Sequence, residues 1–184
     1  MVVDTPIARD GVIRGDFVGN DGYSAMREMV RGLVACGHRR IGSIRVFAGV
    51  YSSDQRFRGV VDQLSADGLP LVPELHRVIE NVPLHQQGRS RIRELMELPE
   101  RPTAVICTHD AIALNVFDEL RKMGRGISED VWLSGFDDQF FAEALHFSSV
   151  RQPLRQIGRR AVEILLEKQP VRRQEFLPCE LKIR

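Results

Sequence analysis

Four positions along the chain put a polar or charged side chain just beyond a short apolar, β-branched run. Asp4 follows Val2–Val3, and Arg56 follows the run Ile41–Val46 and an intervening Gly/Ser stretch. The pair His109-Asp110 follows 103–107, and Asp137-Asp138 follows 131–133. A carboxylate accepts hydrogen bonds from hydroxyls, and a guanidinium donates a planar fork of N–H groups. Carboxylates, an arginine and a ring nitrogen facing one cleft suit a polyhydroxylated or nitrogenous small molecule. Each residue also has a plainer reading. Asp110 can be a helix N-cap, Arg56 a solvated surface arginine, and His109 a satisfied loop histidine. The His-Asp and Asp-Asp pairs read as turns and caps rather than as a metal cluster, so no metal and no cofactor is expected. Neither a Gly-x-Ser-x-Gly elbow, a P-loop, a Gly-x-Gly-x-x-Gly after a strand nor a His-Glu-x-x-His occurs, so the pattern does not point to an enzyme.

The elements that must position these residues follow from periodicity. Ala25, Met26, Met29, Val30, Leu33 and Val34 recur at helical spacing, and Gly37 stands where such a helix wants a left-handed residue. Further helices are predicted around Phe57–Leu64, around Ile92–Met96, over 113–123, as a short turn near 140–145, and over Leu154–Leu166 with Pro170 as its stop. Strands are predicted at Val2–Val3, 17–18, Ile41–Val46, His76–Ile79, 103–107, 131–133 and 148–150, with a terminal strand over 176–183. Strands that are almost continuously apolar and alternate with helices define a doubly wound α/β fold, a parallel sheet covered on both faces. Ligands of such sheets bind beyond the carboxyl ends of the strands, where the polar residues above fall.

The chain has 184 residues and a formal net charge of +1, which gives no basic face for gripping nucleic acid. Cys36, Cys107 and Cys179 are an odd, widely spaced set, read as reduced thiols of a cytoplasmic protein. No apolar run is long enough to span a bilayer, and the first residues do not form a signal peptide.

Several stretches, in order, resemble the lactose-repressor/galactose-repressor family of transcriptional regulators. Gly37-His-Arg-Arg-Ile-Gly42 resembles that family's helix-to-strand junction, and Arg56-Phe-Arg-Gly59 its Arg-x-x-Gly helix. The segment 102–113 resembles its strand, loop and helix around an Asn-Asp pair. Ile127-Ser-Glu-Asp-Val131, Ser134-Gly-Phe-Asp-Asp138 and Ser149-Val-Arg-Gln-Pro153 resemble three further family stretches. The resemblance implies a type I periplasmic-binding-protein-like fold with the second lobe essentially complete and the first truncated. Residues 1–20 are then the end of the first lobe, 21–150 the second lobe, 151–171 the crossover helix of the first lobe, and 172–184 terminal strands rejoining the second. With the first lobe truncated, the helix Leu154–Leu166 is expected to expose an apolar face.

The resemblance also assigns roles. Asp4 matches a carboxylate of the first lobe, Arg56 the arginine that reaches the effector, and Asp137 the carboxylate after the fourth strand. His109 occupies the usual asparagine position with Asp110 beside it, Ser52 lines the mouth, and Gln152 matches a crossover residue near the cleft. His109 replaces an amide with a ring expected to titrate near neutrality. The segment between Asp138 and Ser149 is shorter than the family's and lacks its Pro-Pro. The implied partners are a small carbohydrate or nucleoside effector and a second copy of the chain, with no membrane. DNA is reached only through a helix-turn-helix that these residues do not include. A sugar-binding protein of a transporter shares the fold and is the alternative.

Overall fold

Asp21 opens the first helix: its carboxylate accepts a hydrogen bond from the backbone N–H of Ser24 at 3.0 Å, satisfying one of the free N–H groups at the helix start. The amphipathic run then carries helix α1 (Gly22–Ala35), and Gly37 ends it at φ 95°. The computed structural model describes residues 1–4, 6, 8–9, 12–13, 15–46, 49–79, 83, 86, 88–167 and 173–184. Pro170, expected to stop the last helix, lies outside them.

Ahead of α1 come β1 (Val2–Val3), the small antiparallel pair β2 (Ala8–Arg9) and β3 (Val12–Ile13), and β4 (Phe17–Asn20). After it, strands and helices alternate: β5 (Ile41–Val46), α2 (Tyr51–Ala66), β6 (His76–Ile79), α3 (Arg89–Met96), β7 (Ala104–Cys107), α4 (Asp110–Lys122), β8 (Trp132–Ser134) and α5 (Phe140–Ala144). The chain closes with β9 (Ser149–Arg151), α6 (Leu154–Leu166), β10 (Gln174–Leu177) and β11 (Glu180–Lys182).

Strands β6-β5-β7-β8 form an all-parallel sheet. Both faces are covered, as the near-continuous apolar strands require. On one side α1 and α2 pack Met26, Met29, Val30, Val60 and Leu64 against Ile41, Ala104 and Ile106. On the other, α3, α4 and α5 pack Ile92, Leu95, Val116, Leu120 and Ala142 against Ile44, Val105 and Leu133. A second sheet, β1-β4-β10, is also parallel and is covered on one face by Ile157, Ala161 and Ile164 of α6 around Val18. On the remaining side of α6, Leu154, Val162, Leu165 and Leu166 are exposed.

One expectation is corrected. The single terminal strand over 176–183 is two strands in two sheets. β10 pairs with β4 in the first sheet, while β11 pairs antiparallel with β9. Residues 174–177 therefore do not rejoin the second lobe as the 172–184 boundary expected. Pro178 separates the two strands: it has no N–H to continue a ladder.

The Arg-x-x-Gly motif has a packing reason at its glycine. A Cβ on Gly59 would lie 2.3 Å from the backbone oxygen of Tyr23 and 3.2 Å from the Cβ of Met26. The glycine lets α2 lie close against α1 and so fixes where Arg56, one turn earlier, projects. Gly59→Ala is expected to lower stability by about 1–3 kcal/mol, because the obstacle is main chain and cannot swing aside. Urea unfolding of the variant checks this.

Candidate functional site

The carboxyl ends of the two sheets meet at one place. Asp4 follows β1, Asn20 ends β4, Thr108 follows β7, Asp137 lies in the turn after β8, and Gln152 follows β9. Arg56 reaches the same place from the second turn of α2. A chain of hydrogen bonds joins the two sheets there. The Asn20 amide donates to Asp4 Oδ1 at 3.2 Å and to Gln152 Oε1 at 2.8 Å, and Gln152 Nε2 donates to Asp137 Oδ1 at 2.7 Å.

Arg56 is the unusual member. It is only 3% exposed. Its Nη1 donates to the carbonyl of Thr108 at 2.7 Å, and its guanidinium carbon lies 3.5 Å from the centre of the Phe136 ring. Its carboxylate contact is long: Nη2 is 3.9 Å from Asp137 Oδ1. Its Nε is buried with no hydrogen-bond partner among the described residues. Burial pulls the Arg56 pKa down against the pull of Asp137 and Asp4. A cation held with an unused donor is a group prepared for something else to accept from it.

Asp137 shows the complementary stress. Burial pushes its pKa up to about 6, and Arg56 and Gln152 offset this only in part. Its φ of 117° is in the left-handed region that non-glycine residues avoid. Asp4, at φ 69°, is likewise in that region and is exposed at the rim.

Beside this chain lies a cavity of about 280 Å³, just below the roughly 300–1,000 Å³ usual for small-molecule pockets. Asp4, Asn20, Asp21, Tyr51, Ser52 and Gln55 give it polar walls, and Phe17 and Phe176 give it an apolar one. Arg56, His109, Asp137 and Gln152 do not line it; they stand behind Asn20. We take the hydrogen-bonded chain, not the cavity's centre, as the chemical heart of the site, because the buried charges are there.

Six of the seven residues predicted from sequence fall around this place, and the seventh, Asp110, is buried behind it, within reach of the charges of Arg56 and Asp137. Asp4 and Ser52 line the cavity; Asp137 and Gln152 belong to the chain behind it, and Arg56 stands 3.9 Å from Asp137. The His109 ring contacts Thr108 Oγ1 at 3.1 Å through Nδ1. The expectation that it titrates near neutrality is corrected: burial, and then the charge of Arg56, lower its pKa to about 4, so the ring is neutral at pH 7. Asp110 is fully buried and both its oxygens are engaged. Its Oδ1 accepts from Ser149 Oγ at 2.7 Å and its Oδ2 from the backbone N–H of Gln139 at 2.7 Å. Nor is it a cap: the N-cap position is His109, and Asp110 lies in the first turn of α4. Asn20, Tyr51, Gln55 and Thr108 were missed. Asn20 carries a signal, since it stands at a strand's carboxyl end as Asp4 does. Among the described residues no group of three or more His, Cys, Asp or Glu side chains could hold a metal. No helix among them is long and apolar enough to cross a membrane.

Two parallel sheets whose carboxyl ends meet at a polar crevice have the arrangement in which open α/β folds hold ligands. Residues 30–184 match the family described as the periplasmic binding protein-like domain, and the chain belongs to that family. Its relatives are transcriptional regulators of the LacI type. The ribose operon repressor of Haemophilus influenzae is 30% identical over 166 residues, spanning 89% of this chain and 48% of the repressor. The HTH-type transcriptional repressor CytR of Escherichia coli K12 is 29% identical over 89% of this chain and 49% of its own length. The chain thus spans about half the length of these curated relatives. A regulatory protein of the LacI family from Chloroflexus aggregans superposes with a TM-score of 0.88 at 27% identity, covering 99% of this chain and 66% of that one. A CelR–cellobiose complex superposes at 0.85 with 25% identity, covering 99% and 57%.

Proposed function

We propose that the chain is the effector-sensing region of a cytoplasmic LacI-type transcriptional regulator, and that it binds a small neutral sugar or nucleoside between its two sheets. The observation that carries this reading is Arg56: a buried guanidinium with an unused N–H, set against a carboxylate it does not fully pair. Asp4 and Asp137 accept from hydroxyls, Arg56 donates to a ring or hydroxyl oxygen, and Asn20, Ser52 and Gln55 add neutral contacts. One arginine against two carboxylates leaves no excess positive charge for a phosphate, which favours an uncharged polyol. Among the relatives, one is named a repressor of a ribose operon and one is seen with cellobiose. Effector binding draws the two sheets into one arrangement and biases the affinity of attached DNA-binding heads. A second copy of the chain and, through a helix-turn-helix elsewhere in the regulator, operator DNA are the other partners. The kinship with repressors favours this over service to a transporter, and the site carries out no reaction.

Titration calorimetry with D-ribose, cellobiose and cytidine tests the reading. Saturable one-to-one binding of at least one of them is expected. Absence of binding across a wider panel of neutral sugars and nucleosides would sink it.

A further inference from the structure

The turn that presents Asp137 is strained at two consecutive residues. Asp137 has φ 117° and Asp138 φ 49°, and neither is glycine. Such conformations persist only where the surroundings over-determine them, and they cluster at ligand clamps. Here the surroundings are on display. The backbone N–H of Gly135 donates to Ser148 O at 2.8 Å, that of Asp137 to Val150 O at 2.9 Å, and that of Asp138 to Ser149 Oγ at 3.0 Å. Ser149 Oγ in turn donates to Asp110, whose other oxygen takes the N–H of Gln139. Phe136 is tied through its carbonyl, which accepts from the N–H of Asp110 at 2.7 Å.

The side chain of Asp138 is the strongest tie. It is only 2% exposed. Arg184 Nη2 donates to its Oδ1 at 2.6 Å, and Arg151 donates to its Oδ2 from Nε at 2.7 Å and Nη2 at 2.6 Å. Arg184 is itself fixed: its backbone N–H donates to Ser148 Oγ at 3.0 Å. Burial pushes Asp138 upward, yet Arg184 and Arg151 hold its carboxyl below the ordinary range. Two adjacent carboxylates thus have opposite situations. Asp138 is saturated by arginines, and Asp137 is left short of them.

We propose that Asp138, gripped by Arg151 and Arg184 and backed by Ser149 and Asp110, is a positioning clamp that holds the strained turn and aims the Asp137 carboxylate at Arg56. The proposal rests on the reading of Arg56 and Asp137 as the heart of the effector site. It gives Asp110, buried and fully engaged, a role without effector contact. It also links the last strand of the chain to the site, because Arg184 follows β11.

The test reads Asp137 itself, by carbon-13 carboxyl NMR on the full chain. The groups facing that carboxylate are Arg56 from α2, Gln152 after β9, Asp110 from α4 and Asp4 after β1. In the parent chain Asp137 is expected to titrate near 6. Asp138→Asn and Arg184→Met should free the turn, let water reach Asp137 and move its midpoint down by one unit or more. Arg184→Lys, which keeps a cation, should restore most of the parent value. If Asp138→Asn does not fold, Arg151→Gln on a half-exposed side chain carries the same test. Folded variants with a lower melting temperature but an unmoved Asp137 would show a merely structural tie and overturn the proposal. So would a parent Asp137 that titrates near 4. The readout needs no effector, so failure of every sugar and nucleoside to bind would count against the proposed function and not against the clamp.

Discussion

Replacing Arg56 by methionine should weaken effector binding by about a hundredfold or more while leaving the melting temperature close to that of the parent chain. The two halves of this expectation have separate causes. For binding, a hydrogen bond to a charged group contributes roughly 1.5–3 kcal/mol. Losing a donor pair amounts to about 3 kcal/mol, and each 1.4 kcal/mol is about a factor of ten in affinity. For stability, the lost hydrogen bond to the Thr108 carbonyl at 2.7 Å is offset by no longer burying a poorly paired cation. The guanidinium is 3% exposed, its nearest carboxylate oxygen is 3.9 Å away, and its Nε has no partner among the described residues. Burying a charge is costly unless it is well paired, and at 3.9 Å this one is not, so its removal relieves a desolvation penalty. Methionine keeps contact with the Phe136 face, and a thioether packs well on an aromatic ring. Asp137 is not stranded by the change. Its pKa, already raised to about 6 with Arg56 beside it, rises further when that charge is removed, which makes protonation less costly than a stranded anion. Calorimetry with the bound sugar or nucleoside, paired with a thermal melt, separates the two halves. Unchanged affinity in a folded Arg56→Met chain would remove Arg56 from the site. Arg56→Lys should fall between, because a lysine brings the charge without the planar fork.

That separation of stability from binding explains which parts of the site could be read from the sequence. The strand-end rule found Asp4, Arg56 and Asp137 because it depends on local pattern: an apolar run, then a polar residue. It missed Asn20 because the run was read as ending at Val18, whereas β4 continues through Gly19 to Asn20. Gly37 was read correctly as a helix stop because its left-handed φ is a local demand. Asp110 was misplaced for the opposite reason. What engages it is Ser149, 39 residues on, and Gln139, 29 residues on, each occupying one oxygen. No spacing in the chain announces those partners. His109 is similar, since its neutrality comes from burial and from a guanidinium 53 residues earlier. The split of the terminal strand had a visible signal in Pro178. Which sheet each half joins depends on β4 and β9, far apart in sequence. The fold class rests on periodicities that any window of the chain displays, while the site is made of pairings between windows.

Effector affinity should rise about tenfold between pH 5 and pH 7, with its midpoint near 6. The group responsible is Asp137, whose carboxyl burial pushes from the ordinary 3.8 up to about 6. An effector hydroxyl donating to the ionised carboxylate binds only the deprotonated fraction. That fraction is about one in eleven at pH 5 and about ten in eleven at pH 7 for such a midpoint. His109 does not confuse the profile, because its pKa of about 4 keeps it neutral throughout this window. The same shift acts on folding with the opposite sign. A carboxyl whose pKa is higher folded than unfolded stabilises the fold when protonated. Its contribution is therefore present in full below pH 3.8 and is lost as pH rises through 6. The difference amounts to about 3 kcal/mol at most, since each unit is worth about 1.4 kcal/mol. The effector-free chain thus gives up stability over the pH range in which it gains affinity, as expected if ionised Asp137 is held ready for a ligand rather than for the fold. Calorimetry with the bound sugar or nucleoside across pH 5–7.5 checks the affinity. Asp137→Asn should flatten the profile, because an amide neither titrates nor accepts as a carboxylate does. A parent profile as flat as that of Asp137→Asn would mean that the effector does not touch Asp137.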